Sequence, residues 1–128
     1  MREKGHNELY SRVKSFQYAF EGWSYVLRTQ HNAWIHAVIS LGVLALGLWL
    51  GLPLRDWAVL ILAMMLVWMA EFMNTALEVL VDMITSEFHP LAKIAKDVAA
   101  ATVLVGAIGA IFIGLIILGP PLLQRLGI

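Results

Sequence analysis

Three stretches of this chain, residues 33–52, 57–70 and 98–118, contain no Asp, Glu, Lys or Arg. A helix needs about 20 apolar residues to cross the hydrocarbon of a bilayer. Backbone placed in lipid must satisfy its own hydrogen bonds, which helices and closed barrels alone achieve. The first and third stretches reach that length unaided; the second does so only by running on through Glu71, Asn74 and Glu78. The pattern predicts an all-α membrane protein with transmembrane helices over 33–52, 57–84 and 91–118. The chain is 60% hydrophobic and 14% charged, whereas soluble domains carry about 25% charged residues. No repeat or linker divides it, so residues 1–128 read as a single domain.

Several classes fall away at once. The chain has no cysteine, which excludes disulfides and thiolate metal sites. Its formal net charge is zero, so no basic surface points to nucleic acid. Arg2 to Arg28 is polar and mixed, without the apolar core of a signal peptide, and the expectation is a retained N-terminus. Arg2, Lys4, Arg12, Lys14 and Arg28 precede the first span, and Lys93 and Lys96 lie between the second and third. Only Arg55 and Arg125 fall on the other side. That bias places the N-terminus in the cytoplasm. Trp34, Trp49 and Trp57 sit at expected span ends, as interfacial tryptophans do. Within residues 8–28, Leu9, Val13, Phe16, Phe20, Trp23 and Leu27 recur at steps of four and three, inside an arc of about 80°. This predicts an amphipathic helix lying on the membrane surface.

Pro53 closes the first span, and Asp56 is a candidate N-cap for the second. A helix over 57–84 is about 42 Å long, more than the ~30 Å of hydrocarbon, so its last turns emerge into water. Pro90 suits the first turn of the third helix. Gly106, Ala110 and Gly114, spaced by four, form a small-residue face that permits close helix approach.

The chemistry concentrates in the second span. With Glu71 at zero, Asn74 lies at about −60°, Glu78 at about −20° and Asp82 at about +20° around the helix axis. Glu71 belongs within the hydrocarbon, Glu78 near the inner interface and Asp82 beyond it. An ionised carboxylate at such depth costs a few kcal/mol. A structural stripe gluing helices together is the bland explanation; two Glu, an Asn and an Asp in register favour a functional one. Burial disfavours a carboxyl's charged form and so suits Glu71 to take up and release a proton. Glu78 and Asp82 are hard oxygen ligands of the kind Mg²⁺ takes alongside phosphate. The following loop adds Glu87, His89, Lys93, Lys96 and Asp97, with Lys96 a cation for phosphate and Asp97 an acceptor for a sugar or amine. His36 reads as an interfacial or helix-contacting histidine rather than a ligand, and His6 and His31 as solvated. No phosphate-binding glycine loop or soluble-kinase motif is present. An oligomeric ion or proton pathway lined by the same acids is the competing reading, and it would need polar residues over 57–70.

Glu71-Phe-Met-Asn74-Thr75-Ala76-Leu-Glu78-Val-Leu-Val-Asp82, followed by His89-Pro90-Leu-Ala-Lys93-Ile-Ala-Lys96-Asp97, closely resembles the prokaryotic diacylglycerol kinase family, whose Gram-positive-type members are undecaprenol kinases. Ser15-Phe16-Gln-Tyr18-Ala-Phe-Glu-Gly22 and Arg28-Thr29-Gln30-His-Asn32 match its N-terminal region more loosely. The resemblance implies a homotrimer of three-span protomers in a bacterial inner membrane, with sites shared between subunits. It implies ATP-dependent phosphorylation of a lipid alcohol, with Mg²⁺ as cofactor. By matching position, Glu71 is the general base and Glu78 holds the nucleotide's Mg²⁺. Asn74, Asp82, Glu87, His89, Lys96 and Asp97 line the nucleotide site, with Tyr18 from the surface helix. Gln30 stands where the family commonly has Glu as second metal ligand, and an amide is a poorer Mg²⁺ ligand. The His89-Pro90-Leu-Ala-Lys93 wording leans towards undecaprenol as substrate.

Overall fold

The computed structural model describes the backbone of residues 2–128 and the side chains of residue 8 and residues 10–128. The side chains of Arg2, Lys4, His6 and Leu9, used in the sequence reading, lie outside the described residues. The described residues form four helices: α1 (Arg2–Thr29), α2 (His31–Leu50), α3 (Leu54–Ile84) and α4 (Pro90–Leu126). The last three are each long and apolar enough to cross a membrane.

The helix boundaries depart from the sequence expectation where caps decide them. α2 ends at Gly51, whose φ of 68° is the left-handed conformation glycine adopts freely. Gly51 N–H donates to the Leu48 carbonyl and Leu52 N–H to that of Gly47, closing the α2 end. Asp56 is not the N-cap of α3. The extended Pro53 is, and its carbonyl accepts from the N–H groups of Asp56 and Trp57. α3 therefore starts at Leu54 and carries Asp56 inside its first turn, where a carboxylate still complements the helix dipole. α4 runs past the expected end at 118 to Leu126, through Pro120 and Pro121. Proline's φ is compatible with a helix, and Gly119 before Pro120 has no Cβ to meet the proline ring. The helix stops at Gly127, whose φ is 74°.

Each long helix turns one stripe inward, at steps of three and four residues. On α2 it is Ala33, His36, Ser40, Val43, Gly47 and Leu50, all buried or half-buried. On α3 it is Leu60, Ala63, Val67, Glu71, Asn74 and Glu78, and on α4 it includes Lys96, Ala99, Val103, Gly106 and Ala110. α3 and α4 form the principal pair, with α2 across their groove. At one end the stripes are apolar: Leu52, Leu60 and Leu118 form a core with Leu46, Trp57 and Ile113 packed on it. Towards the other end the same faces become polar. The acids of α3 are thus a continuation of its buried stripe.

The small residues of α4 split between two uses, with Gly106 set against α3 and the rest facing a groove. A methyl added at Gly106 would meet the Val67 backbone at an ordinary 3.8 Å, and one at Gly114 would meet nothing within 4 Å. Ala107, Ala110 and Gly114 instead line a groove of about 510 Å³ between α2, α3 and α4. α1 packs through its last turns. Val26 is buried, and Trp23 lies 5.6 Å from the Trp68 ring and 5.2 Å from Phe72, both on α3. Val13, Phe16 and Phe20 of the α1 stripe remain exposed.

Candidate functional site

The inner part of the site is set by the α3 stripe. Glu71 is 1% exposed, and neither carboxylate oxygen has a hydrogen-bond partner. His36 Nε2 on α2 lies 3.7 Å from Oε2 and is itself buried without a hydrogen-bond partner. One turn on, Asn74 Nδ2 donates to Glu78 Oε1 at 3.1 Å, the i,i+4 geometry of a helix face. Gln30 is the one non-helical residue between α1 and α2. From that break its Nε2 reaches the other Glu78 oxygen at 3.4 Å. Asn74 Oδ1 is buried and unsatisfied. These side chains and Asn32 enclose a cavity of about 290 Å³, walled on the α4 side by Ala100, Val103, Leu104 and Ala107. Buried polar atoms without partners each cost on the order of 1–3 kcal/mol. Four such atoms, His36 Nε2, Glu71 Oε1, Glu71 Oε2 and Asn74 Oδ1, belong to residues that line this one cavity.

The outer part follows one turn later. Asp82 pairs with Lys96 across the α3–α4 interface, and Lys93 pairs with Asp97 along α4. Side-chain exposure is 39% for Lys96 and 63% for Asp82, so water screens the pair and it contributes little stability. Thr85 Oγ1 accepts from Glu87 N–H and tightens the α3–α4 turn. His89 caps α4: its Nδ1 accepts from Leu91 N–H, which puts a neutral ring's proton on Nε2. A second cavity, of about 670 Å³, is lined by Asp82, Glu87, His89, Lys93, Lys96 and Asp97.

The predicted residues thus gather in two adjoining groups along α3. Glu71, Asn74, Glu78 and Gln30 form the inner one; Asp82, Glu87, His89, Lys96 and Asp97 form the outer one. Tyr18 joins neither: it is 61% exposed and lines neither cavity. His36 and Asn32 belong to the inner group and carried no role in the sequence reading. The signal for His36 was its place in the inward stripe of α2, level with Ala33 and Ser40.

Among the described residues no three His, Asp or Glu side chains cluster as a complete metal cage. Mg²⁺ does not require one, because it is held by one or two carboxylates with substrate phosphates and water supplying the rest. Glu78 is such a carboxylate, half-buried and reached from the cavity. Gln30 and Asn74 beside it can each turn an amide oxygen inwards. The residues fit a nucleotide-borne Mg²⁺.

The apolar groove between the helices meets the inner cavity, and Ile35, His36 and Ala107 line both. Apart from His36, its side-chain polarity is confined to Ser40, whose Oγ accepts from Trp68 Nε1 at 3.3 Å. A hydrocarbon channel therefore ends beside a buried carboxyl, and a charged, water-exposed cavity lies beyond it.

Known proteins share this chain's sequence along most of its length. The family model described as prokaryotic diacylglycerol kinase matches residues 17–118. A diacylglycerol kinase of Synechocystis is 46% identical over 86% of this chain, and the match spans 63% of that relative's length. An undecaprenol kinase of Bacillus subtilis is 41% identical over 95% of this chain and all of its own. A diacylglycerol kinase of Escherichia coli is 34% identical over 83% of this chain and 87% of its own length. With both acid-bearing segments inside the matched region, the chain belongs to the prokaryotic diacylglycerol kinase family of lipid kinases.

Proposed function

We propose that this protein transfers the γ-phosphate of ATP to the hydroxyl of a membrane lipid alcohol, with undecaprenol preferred over diacylglycerol. The observation that carries the reading is the gradient of exposure along one face of α3. Glu71 is 1% exposed beside a hydrocarbon groove, while the Asp82 side chain is 63% exposed beside Lys96. A lipid hydroxyl is delivered from the bilayer and a nucleotide from water, and the stripe suits each end to its substrate.

The reaction follows from that order. Glu71 accepts the proton as the alcohol O–H bond breaks. The alcohol oxygen forms a bond to the γ-phosphorus, and the bond from that phosphorus to the β,γ-bridging oxygen breaks. The products are the lipid phosphate and ADP, and the proton leaves Glu71 for the water side. Most of the acceleration in phosphoryl transfer comes from positioning and charge neutralisation, which a small scaffold can supply. Mg²⁺ bound with the nucleotide would neutralise charge on the phosphate oxygens; Glu78 would hold it, with Gln30 and Asn74 beside it. Lys96, released from Asp82, contacts phosphate. Asp82, Glu87, His89 and Asp97 line the nucleotide's place, with Tyr18 of the surface helix added to it in a homotrimer whose sites are shared between subunits.

The preference for undecaprenol rests on the groove. Diacylglycerol carries two ester groups next to its hydroxyl, and burying them without partners is costly. A polyprenol has hydrocarbon alone beyond its hydroxyl, which matches these walls. The relatives' names include both an undecaprenol kinase and diacylglycerol kinases, so the preference stands on the groove alone. The membrane orientation follows from the basic residues: the α1 end and the α3–α4 loop face the cytoplasm, with Val13, Phe16 and Phe20 of α1 resting in the interface. An ion pathway has less support, since the α3 stripe beyond Glu71 is Val67, Ala63 and Leu60.

The test is Glu71→Gln. Transfer to lipid is expected to fall to background while Mg-ATP affinity stays within about threefold, since the base touches the alcohol and not the nucleotide. Full activity in this variant would remove Glu71 from the base role.

A further inference from the structure

We propose that His36 is a second residue of the acceptor site, holding the alcohol oxygen between its Nε2 and the Glu71 carboxylate. The inference rests on the lipid-kinase reading and names a group that touches the reacting oxygen. His36 Nε2 and Glu71 Oε2 are 3.7 Å apart, too far for a direct hydrogen bond. Both are buried, and neither has a partner. An oxygen placed between them can sit about 2.8 Å from each. An alcohol is the ligand whose hydrogen bonding fits both atoms. Its O–H donates to the carboxylate, and its lone pair accepts from the Nε2–H tautomer of the imidazole.

The location selects the lipid over the nucleotide. His36 lines both the apolar groove and the polar inner cavity, where the two spaces join. A hydrocarbon tail in the groove would bring its terminal hydroxyl to this point. Glu71 alone would accept the proton but would leave the oxygen free to turn away from the phosphate. The imidazole fixes that oxygen, with one lone pair occupied and the other aimed at the nucleotide side. As the O–H bond breaks, negative charge grows on the alcohol oxygen, and a preorganised donor is worth more at that moment than before it. His36 gives up no proton in the balance; the proton goes to Glu71.

The experiment compares wild type with His36→Leu and His36→Gln, measuring transfer from Mg-ATP to undecaprenol in detergent micelles. Gln places an N–H donor near the position of Nε2, and Leu removes it. His36→Leu is expected to lose about 100-fold in kcat, with KM for the alcohol raised and KM for Mg-ATP within twofold. His36→Gln is expected to recover to within about tenfold of wild type. In the wild type, one histidine imidazole ¹⁵N signal, absent from both variants, should shift when the short polyprenol farnesol is added. This second measurement stands even if a variant does not fold. Near-wild-type turnover in His36→Leu, equal inactivity of two folded variants, a loss confined to KM for Mg-ATP, or an unmoved His36 signal would each overturn the assignment. A wild-type protein that binds Mg-ATP and phosphorylates no lipid would overturn the kinase reading itself, and this inference with it.

Discussion

Replacing Glu71 by methionine should make the protein more stable and destroy its activity. The two side chains are similar in volume, so the swap leaves little cavity and little overpacking. Glu71 is 1% exposed with both oxygens unpartnered, and a buried polar group in that state costs about 1–3 kcal/mol. His36 at 3.7 Å recovers a fraction of it, which argues for the lower half of the range. A gain of about 1–2 kcal/mol corresponds to a Tm rise of roughly 4–8 °C for a chain of this length. Loss of a general base lowers turnover by about 10²–10⁴-fold. The assay pairs a thermal melt in detergent, without substrates, with lipid phosphorylation on the same preparation. A Glu71→Met protein destabilised by more than about 1 kcal/mol would mean that the carboxyl has partners holding it, and the claim of an unpartnered acid would be wrong. An active Glu71→Met protein would refute its role in proton transfer.

Other perturbations separate the two ends of the site. Lys96→Ala should raise KM for ATP by about tenfold or more through loss of a phosphate contact, while Tm barely moves because its pair with Asp82 is exposed; isothermal titration with Mg-ATP and a melt check both. Gly114→Leu should fill the apolar groove without a clash at its Cβ, raising KM for the lipid alone in the transfer assay. Gln30→Glu puts a carboxylate where an amide now donates to Glu78; its Tm should fall without Mg²⁺ and recover as Mg²⁺ is added, a dependence weaker in the wild type.

The membrane helices were legible because a tract of some 20 residues without charge has few other uses. Their ends were less so. Gly51 and Pro53 fixed the α2–α3 turn through backbone bonds, leaving Asp56 no cap to make, and α4 passed two prolines that normally suggest a stop. The register of Glu71, Asn74, Glu78 and Asp82 was readable because it lies within one helix and follows from 100° per residue. His36 was not, because its meaning lies in what faces it from α3, and no periodicity within α2 names a partner on another helix. The same limit applied to Gly106, Ala110 and Gly114. Their spacing identified a small-residue face, while the packing set Gly106 against Val67 of α3 and made Ala110 and Gly114 part of the wall of a groove. Gln30 drew notice as an amide in place of a carboxylate; its contact with Glu78 depends on a one-residue break between α1 and α2 that sequence alone did not locate.

Transfer of label from [γ-³²P]ATP by the purified wild-type protein, with undecaprenol and diacylglycerol offered separately in Mg²⁺-containing micelles, tests the central claim most directly. Labelled undecaprenyl phosphate, formed with higher kcat/KM than labelled phosphatidic acid, is the predicted result. Label in neither lipid, from protein that binds Mg-ATP, would contradict it.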